Sequence, residues 1–215
     1  MGSNTSKGRG KKGSKFWVQT IINSDMKIEL ERQIGIGKIN WVSPLAKDNY
    51  VEYKLNQDYI VELIGIPKSS YNFWPANQPQ WDAIGMTENT IVLAEAKAHI
   101  GELKSSLSAR KEESKMLICE TMKKVFDECY IRGDFEKWKR NYYQLGNRLT
   151  FLNIMNELVK IDGRQVKLVL LNIVNDPTHI STSEAEWENS YSDIFIDMTG
   201  SAAPPKDVIM VNFHV

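Results

Sequence analysis

The run VKLVLLNIV at residues 166–174 restricts the fold of this chain more than any other stretch. Apolar side chains stand on both faces of such a strand, so both faces must be covered. Helical patterns on either side of it supply the cover. Leu145, Leu149, Leu152, Met155 and Val159 recur at helical spacing before it, and STSEAEWENSYSDIF after it reads as a helix capped by Thr182 or Ser183. Earlier helices are predicted from a Ser14 cap to Ile22, from Ser24 through DMKIELERQI to Gly35, from an Asn56 cap to Gly65, and from a Ser108 cap through residues 111–129. INWVSPLAKDNYVEYKL reads as irregular or short strand, residues 79–100 as two strands, and DVIMVNFHV as a last strand. The expected class is α/β, with a mixed central β-sheet flanked by helices.

A chain of 215 residues with 42% hydrophobic content can bury one substantial core, so residues 15–215 are expected to form a single domain. Residues 1–14 carry Lys7, Arg9, Lys11 and Lys12 among Gly and Ser, with no acid and no apolar run. They are expected to be a flexible basic tail able to touch phosphates. Lys+Arg and Asp+Glu both number 27, so any basic surface must be local. No apolar stretch reaches the length of a membrane span. Cys119 and Cys129 fall in one predicted helix without zinc-type spacing, which implies free thiols in a reducing cytoplasm. GRGKKGSK lacks the spacing of a phosphate-binding loop, and neither GxSxG nor HExxH occurs.

The chemistry gathers in PQWDAIGMTENTIVLAEAKAHI, residues 79–100, where apolar strands carry Asp82, Glu95 and Lys97. A turn centred on Glu88 and Asn89 places Asp82 directly opposite Glu95. Strand alternation then puts Lys97 on the same face as Glu95. Two carboxylates so close repel each other unless a cation lies between them. Oxygen ligands without thiol or imidazole suit Mg²⁺ or Mn²⁺, and the Ala96 backbone carbonyl is a third candidate oxygen. Lys97 would orient an attacking water or help to deprotonate it. The plain reading of the same residues is an ion-pair cluster on an edge strand, which the apolar TIVLA before Glu95 argues against.

Asp82, a turn, and Glu95-Ala96-Lys97 closing an apolar strand resemble the PD-(D/E)xK nuclease superfamily, the restriction-endonuclease-like fold. Trp81 stands where that pattern has Pro, with Pro79 three residues before Asp82. FWPANQPQWDAIG, EAKAHI, YYQLGNRL and LVLLNIVND extend the resemblance to a bacterial group of that superfamily over nearly the whole chain after the tail. The resemblance implies a cytoplasmic, Mg²⁺- or Mn²⁺-dependent nuclease acting on nucleic acid, with DNA the expected polymer. Asp82, Glu95 and Lys97 would be catalytic, and Asp82, Glu95 and the Ala96 carbonyl would be metal ligands. The superfamily often adds a Glu from the first helix; Glu29 and Glu31 are available and Glu31 is preferred, with Glu52 as another acid.

Further candidates are His99, two residues beyond Lys97, and Gln144, Asn147 and Arg148, which share a helix face and are suited to a phosphate or a base edge. Tyr71, Phe73, Trp74 and Trp81 either stack on bases or pack their loop against the core. The competing class is a non-catalytic nucleic-acid or protein binding module on the same fold. An oligomer is compatible with the sequence and not implied by it.

Overall fold

The computed structural model describes residues 8–215. A five-stranded mixed sheet lies at its centre, formed by β1 (Asn40–Ser43), β2 (Ala83–Met86), β3 (Thr90–Lys97), β4 (Gln165–Val174) and β5 (Val208–His214) in spatial order β1-β2-β3-β4-β5. β1, β2 and β3 pair antiparallel; β3, β4 and β5 pair parallel. The α-helices are α1 (Gly13–Ile22), α2 (Met26–Ile34), α3 (Asp58–Ile64), α4 (Glu112–Cys129), α5 (Phe135–Arg140), α6 (Tyr143–Val159) and α7 (Glu184–Thr199). The chain is thus α/β, with helices on both faces of the sheet.

Side-chain alternation along β3 separates the two layers. Ile91 and Leu93 join Leu168 and Leu170 of β4 under α3 to α7. Val92, Ala94 and Ala96 join Val169 and Leu171 under α1 and α2. The alanines let α1 approach closely: a side-chain carbon on Gly13 would lie 3.9 Å from the Ala98 methyl. β4 is buried on both faces from Leu168 to Val174, as its apolar run requires. The stripe from Leu145 to Val159 is buried against this sheet.

Local signals account for several boundaries. Ser183 and Glu186 form a reciprocal capping box at the start of α7. Gly35, Gly65 and Gly200 end α2, α3 and α7 in the left-handed conformation that glycine tolerates. Three expected caps are not used: Ser14 lies within α1, which starts after Lys12, and Asn56 and Ser108 are replaced as well. The Asn56 amide instead donates to the Ala76 carbonyl at 3.0 Å, and α3 starts after Gln57. α4 starts after Lys111, beyond Ser108, with Glu112 and Glu113 facing its positive end.

The expected tail needs correction over residues 8–14. Its backbone is held by side chains of the domain: Gly10 N donates to Gln19 Oε1 at 2.8 Å, and Gln19 Nε2 donates to Gly8 O at 3.1 Å. The Arg9 guanidinium lies 5.4 Å from the Phe16 ring centre and 5.1 Å from that of Tyr50. α1 begins at Gly13, whose N–H donates to Thr178 Oγ1 at 3.1 Å. Cation–aromatic stacking and satisfied backbone groups replace the apolar burial this segment lacks. Residues 1–7 of the expected tail lie outside the described residues.

Gly85 sits where β2 passes β1, paired with Trp41. A β-carbon there would come to 2.4 Å from Ile39 Cγ2 and 2.9 Å from Trp41 Cε3. Gly85→Ala is expected to lower stability by about 1–3 kcal/mol through overpacking. Urea unfolding would show this as a lower midpoint with an unchanged slope. An unshifted midpoint would mean that β1 yields at no cost.

Candidate active site

The β2–β3 hairpin creates the site. Its pairs run from Met86–Ile91 to Ala83–Ala94, and Asp82 stands one residue beyond the last pair. The expected register is therefore present. Glu95 falls on the face of Leu93, towards the larger helical layer, and Asp82, just before β2, lies close enough to feel its charge. Asp82 Oδ2 accepts from the Ala96 N–H at 2.8 Å, bridging the hairpin just beyond its last strand pair.

Glu95 is 4% exposed, Lys97 is 9% exposed, and neither meets bulk water freely. The two Glu95 oxygens are held separately. Oε1 accepts from Lys97 Nζ at 2.6 Å and from Gln144 Nε2. Oε2 accepts from Arg148 Nε at 2.7 Å, and Arg148 Nη2 lies 2.6 Å from the same oxygen. Gln144 also accepts from Lys97 Nζ at 2.8 Å, which closes a triangle of Glu95, Lys97 and Gln144. Gln144 is aimed by its own backbone, whose N–H donates to Ser105 Oγ at 2.8 Å in the first turn of α6. A cavity of about 20 Å³, room for one water, lies against Glu95, Lys97, Gln144 and Tyr191.

The two acids are electrically unequal. Burial alone would raise the Glu95 pKa, but Arg148 and then Lys97 hold it below the ordinary carboxylate value. Asp82 has no cation in direct contact among the described residues. Burial, then the Glu95 charge, push it from 3.8 up to about 7, and Glu52 adds to the effect. Burial works against the Lys97 ammonium, yet Glu95 and Asp82 outweigh it and raise its pKa. Lys97 is accordingly a cation that can orient and stabilise negative charge. In this arrangement its raised pKa favours the orienting role over the deprotonating one.

The expected auxiliary residues separate. Gln144 and Arg148 belong to the cluster. Arg148, 3% exposed, holds Glu95 and cannot reach a phosphate or base edge as expected. Glu31 is not part of the site. Its Oε1 accepts from Trp41 Nε1 at 3.0 Å, and Trp41 pairs with Gly85, three residues and roughly 10 Å along β2 from Asp82. Glu31 instead lines an open groove of about 1350 Å³ with Lys27, Arg32 and Met86. That groove is wide but brings no opposed acids together, so its size does not make it the chemical site. His99 follows the end of β3 and turns elsewhere. Its ring lies 5.4 Å from that of His179, and its Nε2 lies 3.4 Å from Glu102 Oε1. Glu52 is buried, is felt by Asp82 and lies 3.9 Å from Lys15, so it is the third acid near the pair. Tyr71, Trp74 and Trp81 are buried and pack their loop onto Phe151, with Phe73 partly buried beside them.

The donor set can be compared with the needs of a hard divalent cation. Asp82 keeps one oxygen outside its bond to Ala96. The N–H and C=O of a strand residue leave on the same side, so the Ala96 carbonyl also faces the Asp82 side. Mg²⁺ keeps several waters and asks for only one or two carboxylates, so Asp82, Glu95 and the Ala96 carbonyl fit it. Glu95 would have to give up its Lys97 contact. No group of three or more His, Cys, Asp or Glu side chains suited to a metal occurs among the described residues. Compared with family models, with curated proteins and with solved structures, the chain finds no match.

The raised Asp82 pKa has a consequence for stability. Between pH 3.8 and about 7 the folded protein holds a proton on Asp82 that the unfolded chain releases, so this group lowers stability as pH rises. Asp82→Asn keeps an acceptor for the Ala96 N–H and removes the titration. Its melting temperature is expected to exceed that of the wild type by about 2–4 °C at pH 8, where about 1 kcal/mol suffices, with the gap closing towards pH 4. Thermal melts across this range test it; a gap that grows on acidification would reverse the sign.

Proposed function

We propose that this chain is a metal-dependent nuclease that hydrolyses phosphodiester bonds of nucleic acid, with DNA the expected polymer. One observation carries the proposal: the hairpin brings Asp82 beside Glu95, and Lys97 contacts Glu95 in the same buried cluster. The order of helices, acid-bearing hairpin, further helices and parallel strand supports the resemblance to the PD-(D/E)xK superfamily. Asp82, Glu95 and the Ala96 carbonyl would hold Mg²⁺ or Mn²⁺, which when bound would draw charge from the scissile phosphoryl group. Lys97, freed from Glu95, would orient the attacking water and offset charge on the phosphate. Gln144 would keep Lys97 aligned during that exchange. Lys12, just before α1, and Lys15, in its first turn, are cations suited to flanking phosphates.

Both cysteines are free, and a reducing, cytoplasmic setting is part of this proposal. No helix among the described residues is long and apolar enough to cross a membrane. A second reading, a binding module without catalysis, draws on the occupation of both Glu95 oxygens by Lys97, Gln144 and Arg148. A site satisfied in this way can be an end in itself.

Lys97→Ala and Glu95→Gln separate the two readings. Lys97→Ala should keep or strengthen Mn²⁺ binding and lower turnover by about 10²–10³, the usual cost of one charge-stabilising donor. Glu95→Gln should weaken metal binding and also lower stability, by about 3–5 kcal/mol, because it leaves buried cations without their anion. Metal titration, cleavage of single- and double-stranded DNA and RNA with Mg²⁺, Mn²⁺ or EDTA, and a melt on each variant provide the comparison. A wild type that cleaves nothing yet binds nucleic acid or protein as well as both variants would establish the binding module instead.

A further inference from the structure

We propose that Arg148 is the positioning residue that sets the spacing of the two acidic arms, with Trp81 as its platform. The proposal rests on the nuclease reading for its effect on rate and on geometry alone for its effect on structure. One guanidinium reaches both arms. Arg148 Nε donates to Glu95 Oε2 at 2.7 Å on β3. Arg148 Nη2 donates to the Gln80 carbonyl at 2.7 Å, two residues before Asp82. The guanidinium carbon lies 4.3 Å from the Trp81 ring centre, one residue before Asp82. Arg148 Nη1 lies 3.2 Å from Asn147 Oδ1, which anchors the group to its own helix. The chain entering Asp82 and the carboxylate of Glu95 are thus tied to one rigid planar group on α6.

Trp81 explains itself in the same terms. Its indole N–H is buried without a hydrogen-bond partner, a defect that Phe would not have. The ring face is what the position uses, and tryptophan binds a cation on its face better than phenylalanine does. Trp81 also fixes the strand entry, since its backbone N–H donates to the Tyr53 carbonyl at 3.0 Å. The Trp in place of Pro before Asp82 is therefore half of a stack whose other half is Arg148. Arg148 is buried and touches no surface a substrate could occupy, so it acts through Glu95 and Asp82.

Arg148→Lys keeps the charge but loses the planar contacts, and Trp81→Phe keeps an aromatic face while removing the unpaired N–H. Arg148→Lys is expected to lower kcat about 10–100-fold, as loss of a group orienting a ligand does, with KM for nucleic acid within about twofold. Trp81→Phe should fold at least as well as wild type and lower kcat by less. The double variant should lose no more than Arg148→Lys alone, because both act through one contact. A crystal structure of Arg148→Lys should show the Asp82–Glu95 separation changed. Unchanged acid positions with kcat within about twofold would overturn the proposal, and so would a raised KM at unchanged kcat, which would make Arg148 a substrate contact. If Arg148→Lys does not fold, Trp81→Phe decides by the same crystal and kinetic criteria. If the wild type cleaves nothing, the nuclease reading falls, and the acid separation in either variant's crystal still decides the positioning claim.

Discussion

A carboxylate on the buried face of a central strand has to be neutralised, and the structure is arranged around the neutralisation of Glu95. β3 has helices on both faces, so water cannot solvate the charge. The compensating groups come from two directions: Lys97 from the same strand face two residues on, and Arg148 and Gln144 from α6. This requirement explains why α6 buries Asn147 and Arg148 beside its apolar stripe. It also explains why Gln144 lies where Ser105 can hold its backbone. Removing either side of such a pair leaves an uncompensated buried charge, which costs far more than a surface ion pair contributes.

The same arrangement makes the two acids different in kind. Glu95 has two cations and an amide; Asp82 has one backbone N–H and the repulsion of its neighbour. An unequal pair of this sort places one permanent anion beside one group balanced near neutrality. That asymmetry is the property the proposed chemistry would draw on. A cation entering between them would relieve the repulsion that lifts Asp82, at the expense of the Lys97 contact. The close Lys97–Glu95–Gln144 triangle lies beside a water-sized cavity.

Much of this was legible in the sequence because it follows from local rules. The hairpin register follows from a turn centred on Glu88 and Asn89, and the strand pairs from Met86–Ile91 to Ala83–Ala94 keep it. The Leu145 to Val159 stripe and the Ser183 cap follow from helical period and hydrogen-bond geometry. Other readings failed for reasons no local rule contains. Glu31 looked equivalent to any acid on a first helix, and only the pairing of Trp41 with Gly85 shows that α2 ends at the wrong end of β2. His99 shares the parity of Lys97, but β3 stops at Lys97, so parity no longer governs its direction. The Gly- and Lys-rich segment at residues 8–14 has the composition of a free tail, yet Gln19, Phe16 and Tyr50 hold it through polar and cation–aromatic contacts that hydropathy does not register.

The sequence by itself determined the alternation of strands and helices, the two-faced burial of β4 and the hairpin that brings Asp82 beside Glu95. Each depends on spacings of a few residues along one segment, where backbone geometry leaves little choice. Only the tertiary structure decided what surrounds that pair. Arg148 lies 53 positions from Glu95 and 68 from Gln80, and its role arises where α6 crosses the hairpin. Its burial turned an expected phosphate contact into an internal tie, and its neighbour Trp81 from a loop aromatic into the surface it rests on. Charge balance in a low-dielectric interior is set by distances in space, and a sequence records those only after the chain has folded.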